Sequence, residues 1–156
     1  MKTLYLLRHA KAGNGLNDLE RDITASGCRQ AEAMGQWMSE KGIMPDRIIS
    51  SPAKRAKLTA KICSERADYQ GSIRFEDNLY DPYGDKYIEI IASLKNKCDS
   101  VLIVGHNPKI SSAVTILTGE QLTMSPCMLV CIEFALDKWI SVKDVQGILK
   151  WVQIPS

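Results

Sequence analysis

Histidine is scarce in this chain, with two among 156 residues, His9 and His106. No apolar run approaches the ~18 residues of a membrane span. Near the start only Leu4 to Leu7 are continuously apolar before Arg8 and His9 interrupt, short of the ~7 to 15 residues of a secretion-signal core. The five cysteines, Cys28, Cys63, Cys98, Cys127 and Cys131, are odd in number and lack C-x-x-C spacing. That pattern suits reduced thiols buried in a cytoplasmic protein better than a disulfide framework. There is no like-charge block, Pro/Gly/Ser tract or internal repeat to mark a linker or tail. A net charge of +2 gives no ground for a nucleic-acid or membrane partner, although Lys54, Arg55, Lys57, Lys61 and Arg66 make one segment locally basic. A single domain spanning residues 1–156 is expected from the length.

What is present is an alternation of strand-like and helix-like segments. Thr3 to Leu7 reads as a first strand, and Ser26 to Lys41 carries a helical stripe of Cys28, Ala31, Met34, Trp37 and Met38, stopped by Gly42 and Pro45. Arg47 to Ser51 reads as a second strand and Pro52 to Arg66 as a helix, with Pro52 in its first turn. Ile73 to Phe75 is an edge-strand candidate, and Asp77 to Asp85 is turn-rich. Lys86 to Lys95 reads as a helix, Val101 to Val104 as a buried strand, and Pro108 to Leu117 as a helix ended by Gly119. Met128 to Leu136 and Ile148 to Ile154 read as strands joined by a polar turn. The expected fold is a single-domain three-layer α/β/α sandwich with a mainly parallel sheet and an antiparallel C-terminal strand.

In such a sheet, ligands bind beyond the carboxyl ends of the strands. Arg8 and His9 stand at that end of the first strand, Ser50 and Ser51 at that end of the second, and His106 at that end of the strand beginning Val101. Three segments distant in sequence therefore point to one crevice. The loop from Ala10 to Ile23 follows directly, and loops of that length in compact domains are commonly functional.

Several chemistries are excluded by what the crevice lacks. Two histidines without a Cys or carboxylate at ligand spacing, beside arginines that repel a cation, make a poor metal site. None of the five cysteines has an arginine six residues later, as a cysteine phosphatase needs. A P-loop is absent, and the glycines at 13 and 15 lack the third of a dinucleotide fingerprint. An anion site of arginine and imidazole is left. The guanidinium forks of Arg8 and Arg55 match phosphate oxygens, and the helix beginning at Pro52 is expected to add N-terminal amides. A neutral imidazole is a competent nucleophile for phosphorus, and nearby arginines favour the neutral form.

The stretch LLRHAKAG resembles the Arg-His signature of the histidine phosphatase superfamily, IISSPAKRAKLTA its second-arginine helix, and VGHNP its second-histidine motif. Order and spacing match along nearly the whole chain. Within that superfamily, the short length, the LERDIT stretch and the absence of an inserted helical cap are similar to the small SixA-type phosphohistidine phosphatases. The resemblance implies a phosphoglycerate mutase-like fold, no cofactor and no metal. It implies His9 as nucleophile, Arg8 and Arg55 as clamps on the phosphoryl oxygens, and His106 as a hydrogen-bond donor to the transferring group. Arg21, in LERDIT, is a further substrate-binding candidate, with a loop salt bridge to Asp18 or Asp22 as the alternative. For Ser51 and Asn107, support of the site and helix capping are both open, with capping favoured.

Two departures stand out. The first motif reads Arg-His-Ala where glycine is usual, which requires a negative φ at Ala10. No confident glutamate acid is found; Asp81 and Asp18 are the candidates, each with a solvated turn carboxylate as the alternative. A weak acid site favours a phosphoramidate substrate, because a phosphohistidine ring, with reference pKa ~6.5, can itself be protonated before it leaves. The expectation is a phosphatase acting through phospho-His9 on phosphohistidine in a partner protein, a phosphorelay domain of the HPt type, and functioning as a monomer. A small-molecule phosphomonoesterase and a noncatalytic phosphate- or phosphoprotein-binding module are the alternatives.

Overall fold

The computed structural model describes residues 1–81 and 86–156. The turn-rich reading of residues 82–85 therefore lies outside the described residues.

Strand β1 (Lys2–Arg8) lies at the centre of a six-stranded sheet. Its Leu4, Leu6 and Leu7 are fully buried, so strand formation and burial of both faces go together. Strands β2 (Arg47–Ser50), β3 (Ile73–Phe75) and β4 (Ser100–Gly105) join it in the parallel part, and β5 (Leu129–Phe134) and β6 (Ile148–Gln153) complete the order β3-β2-β4-β1-β5-β6. β1 pairs parallel with β4, and β4 with β2. β5 runs antiparallel to β1, and β6 antiparallel to β5. The mainly parallel sheet with an antiparallel C-terminal addition is as the sequence indicates.

Helices α1 (Ala25–Glu40) and α2 (Lys54–Arg66) cover one face, where Ala31, Met34, Met38, Ala56, Ala60 and Cys63 meet Leu7, Ile48, Leu102 and Val104. On the other face, α3 (Tyr87–Ala92) and α4 (Lys109–Thr118) bring Ile90, Ile91, Ile110 and Val114 against Leu4, Leu6, Ile103 and Val130. Burial of these apolar side chains from both layers at about 25 cal/mol per Å² is the main stabilising term. Thr24 opens α1, its side-chain oxygen accepting the Gly27 amide at 3.0 Å. Gly119, at φ +79, ends α4 in the left-handed conformation glycine adopts without a Cβ penalty.

Three segment readings need correction. α2 begins at Lys54, with Pro52 two residues outside it, because the Ser51 side chain turns the chain by accepting the Ala53 amide at 3.2 Å. α3 is only six residues, not the ten from Lys86 to Lys95. The segment read as a polar turn contains a 3-10 helix at Trp139–Asp144, whose Trp139 and Val142 are buried three residues apart on one side. Trp139 is accommodated in the core because its indole N–H donates to the Cys98 carbonyl at 2.6 Å. Among the described residues no helix is long and apolar enough to cross a membrane.

Candidate active site

Parallel pairing sets the site. Arg8 is opposite Gly105 in the β1–β4 register, and Ser50 is opposite Val104 in the β2–β4 register. The ladder continues one residue further, the His9 amide donating to Gly105 O at 3.0 Å and the Ser51 amide to Val104 O at 3.0 Å. His9, His106 and Ser51 consequently leave adjacent strands at the same level, and the two imidazole centroids are 5.1 Å apart. A cleft of about 630 Å³ opens there, and Arg8, His9, Arg21, Arg55 and His106 all line it. All five were selected from sequence.

His9 Nδ1 lies 2.8 Å from the carbonyl oxygen of Ala10. A carbonyl only accepts, so Nδ1 carries the proton and Nε2 keeps its lone pair. The turn that delivers this carbonyl is held by the Ala10 amide donating to Thr59 Oγ1 at 3.0 Å, while that hydroxyl donates to Arg55 O at 2.7 Å. Alanine is tolerated after His9 because the described non-glycine residues with positive φ are Asp68 and Cys127, and Ala10 is not one of them. Burial, reinforced by the charges of Arg55, Arg8 and Arg21 and opposed by the Ala10 bond, lowers the His9 pKa to about 4. His9 is neutral at neutral pH.

His106 bonds through Nε2 to Ser51 Oγ at 2.7 Å, and its backbone amide donates to the Tyr87 hydroxyl at 3.1 Å. Glycine precedes it for a steric reason, since a Cβ at Gly105 would stand 1.9 Å from that Tyr87 oxygen. Burial, then the proximity of His9 and Arg55, lowers the His106 pKa to about 3. Arg8 donates from Nη1 to Met124 O at 2.9 Å. Among the described residues, the buried side-chain nitrogens without a hydrogen-bond partner are Arg8 Nε and His106 Nδ1. An unpaired buried donor costs about 1–3 kcal/mol, and both stand in the same cleft wall.

Asp18, read from sequence as a candidate acid, has a different environment. Tyr80 donates to its Oδ2 at 2.7 Å, Arg55 Nη2 to the same oxygen at 3.1 Å and Arg21 Nη1 to Oδ1 at 3.3 Å. The Tyr80 bond first, then the Arg55 and Arg21 guanidiniums, hold its pKa near 2 against the opposing effect of burial. Asp18 is thus an ionised acceptor at neutral pH, not a proton donor. Arg21 makes the Asp18 salt bridge and also donates from Nε to Gly13 O at 2.9 Å while it lines the cleft. Asp81 lines the cleft as well.

Two amides at the start of α2 are already engaged within the protein. The Ala53 amide is taken by Ser51 Oγ and the Lys54 amide by Leu19 O at 3.0 Å. Ser51 thus ties the turn before α2 without capping the helix, whose N-cap Ala53 has no side-chain cap bond, and Asn107 ties the loop before α4 by donating to Met124 O at 2.8 Å and accepting from the Ser111 hydroxyl at 2.6 Å. Sequence reasoning missed Tyr80, which bonds Asp18 and sets its ring edge-on 5.9 Å from His106. Its signal was present next to Asp81 in the LYD stretch. Thr59 and Tyr87 gave no such signal, since each acts through a contact distant in sequence.

Histidine with a depressed pKa makes folding pH-dependent. The unfolded chain takes up protons below about 6.5, whereas folded His9 and His106 resist protonation until about 4 and 3. The unfolded state then binds more protons, so stability is present above pH ~6.5 and declines as pH falls toward 4. The urea midpoint is expected to drop across this window, and a His9→Asn/His106→Asn double variant to lose most of the slope. An equally steep slope in the double variant would refute the assignment.

Two imidazoles and three arginines thus line one cleft at the carboxyl edge of the parallel strands of an α/β protein. The chain belongs to the histidine phosphatase superfamily, whose branch 1 family model matches residues 4–85. It is 31% identical over 134 residues to the phosphohistidine phosphatase SixA homolog of Haemophilus influenzae, covering 78% of this chain and 80% of that one. In structure it is similar to the candidate phosphohistidine phosphatase SixA of Nakamurella multipartitia, with TM-score 0.85 and 25% identity over 99% of this chain and 96% of the other. A protein histidine phosphatase SixA in complex with tungstate shares the fold at TM-score 0.82 and 22% identity, over 98% and 97% of the two chains.

Proposed function

We propose that this chain is a phosphatase that removes the phosphoryl group from phosphohistidine in a partner protein of the phosphorelay HPt type, through a covalent intermediate on His9. The observation that carries the reading is the Nδ1–H bond of His9 to the Ala10 carbonyl, which leaves Nε2 as a free lone pair between arginines. In the first step Nε2 attacks phosphorus, the substrate P–N bond breaks, and its electron pair stays on the leaving imidazole. That ring, protonated on its other nitrogen, departs neutral. Arg8, Arg55 and the His106 N–H stabilise the charge spread over the transferring oxygens. Water then attacks phospho-His9, loses a proton, and releases orthophosphate with His9 restored.

A substrate with a P–N bond suits the carboxylates that line this cleft. Asp18 is ionised, and Asp81, which also lines the cleft, is the other candidate acid. An alkoxide leaving group would ask more of it than an imidazole does. The test is to mix the protein with excess phosphoramidate, quench in alkali and map the added phosphoryl group by mass spectrometry. A labile phosphoryl group on His9, together with loss of label from a phosphohistidine protein, is the expected result. Absence of any adduct with phosphoramidate and with a generic phosphoester would overturn catalysis in favour of a binding module. Faster turnover of a sugar phosphate than of every P–N compound would instead assign a small-molecule phosphomonoesterase.

A further inference from the structure

Ser51 is fully buried one residue past the end of β2, and its hydroxyl stands between two nitrogens. It accepts the Ala53 amide at 3.2 Å and lies 2.7 Å from His106 Nε2. The Ala53 amide can only donate, so one position on Oγ is committed as acceptor. Two arrangements of the remaining protons are then available. If His106 carries its proton on Nε2, Ser51 Oγ accepts twice and its own hydrogen lacks an acceptor in a buried position, at a penalty of about 1–3 kcal/mol. If His106 carries it on Nδ1, the Ser51 hydroxyl donates to Nε2 and only Nδ1–H lacks a partner, whereas the first arrangement leaves both the hydroxyl hydrogen and the Nδ1 lone pair unpaired. The second arrangement thus has a single unpartnered buried group, the Nδ1–H of a residue that lines the cleft.

We propose that Ser51 is a positioning residue that holds His106 in the Nδ1–H tautomer, so that an incoming phosphoryl oxygen meets a donor and not a lone pair. The inference rests on the reading of the cleft as a phosphoryl site and adds the residue that sets its chemistry. The same neutral tautomer then serves two opposite purposes in one site. His9 spends its Nδ1–H on Ala10 O and presents the Nε2 lone pair, the nucleophile. His106 spends its Nε2 lone pair on Ser51 and presents Nδ1–H, the donor. Both rings are kept neutral by burial, which makes the tautomer, not the charge, the decisive property.

Two histidines in the chain make the test direct, because ring ¹⁵N labelling reports two imidazoles only. Long-range ¹H–¹⁵N correlation at neutral pH is expected to show a protonated Nδ1 and an unprotonated Nε2 on both rings. In Ser51→Ala the His106 pattern shifts toward protonated or exchanging Nε2 while His9 is unchanged. Phosphoryl transfer from phosphoramidate falls roughly 10-fold or more in kcat, in line with loss of one oxyanion donor. Ser51→Thr, which keeps the hydroxyl, retains the wild-type His106 pattern. A wild-type His106 protonated on Nε2, or a pattern unmoved in Ser51→Ala, overturns the proposal. Should Ser51→Ala fail to fold, the wild-type and Ser51→Thr spectra alone decide the tautomer. Failure of the functional reading is seen separately, as absence of a phosphoryl adduct on wild-type His9 with the tautomer pattern intact.

Discussion

His9→Ala is expected to reduce hydrolysis of a phosphohistidine protein by roughly 10³-fold or more, while the variant still binds orthophosphate. The separation follows from the geometry. In the proposed mechanism the anion is held by Arg8, Arg55 and His106, which line the cleft with His9, whereas the bond to phosphorus is made only by His9 Nε2. Removing the ring deletes the covalent route and leaves the charge clamp. The measurement is single-turnover loss of label from the phosphoprotein, paired with calorimetric titration of orthophosphate. Turnover unchanged in the variant would eliminate the covalent mechanism. Loss of phosphate binding equal to that of an arginine variant would place His9 among the binding groups instead.

The second large effect is expected at Arg55. Its side chain is 8% exposed, and its fork is committed to the loop that follows β1, with Nη1 donating to Asp18 O at 2.6 Å and Nη2 to Asp18 Oδ2 at 3.1 Å. Arg55→Ala removes a cation from the cleft and simultaneously leaves the Asp18 carboxylate facing the anion with one partner fewer. Orthophosphate affinity is expected to fall about 10²-fold, the equivalent of losing one or two hydrogen bonds to a charged group. Arg55→Lys restores charge without the planar fork and is expected to recover only part of that loss. Asp18→Ala separates the two roles. If Arg55 served only to hold the loop, Asp18→Ala, which removes the Nη2 bond and keeps the Nη1 bond to the backbone carbonyl, would also weaken phosphate binding, though by less than Arg55→Ala; if Arg55 clamps the anion, Asp18→Ala binds phosphate at least as well as the wild-type chain.

The two histidines were legible because each marks the end of an apolar strand-like run. Apolar runs ending in Arg8-His9 and in Gly105-His106 specify β1 and β4, and parallel pairing obliges their carboxyl ends to share one edge. The alternation of periodicities likewise made the layer architecture readable. For Asp18 the local bridge to Arg21 was legible, but its other partners lie 37 and 62 residues away, at Arg55 and Tyr80, and no pattern near Asp18 marks either one. Those partners fix the carboxylate as a hydrogen-bond acceptor and lower its pKa further below the ordinary range. The buried 3-10 turn at Trp139 escaped for a similar reason, as its N–H finds the Cys98 carbonyl 41 residues earlier.

The sequence by itself determined which side chains reach the cleft, since strand direction and strand ends are encoded in short apolar runs that need no knowledge of distant contacts. Only the tertiary structure decided the protonation each of them holds. Burial lowers both histidine pKa values, the Ala10 carbonyl and the Ser51 hydroxyl orient the two rings oppositely, and Tyr80 with Arg55 keeps Asp18 ionised. Desolvation and hydrogen bonding act over a few ångströms in space, whatever the separation along the chain, and so they exist only once the sheet has brought its edges together.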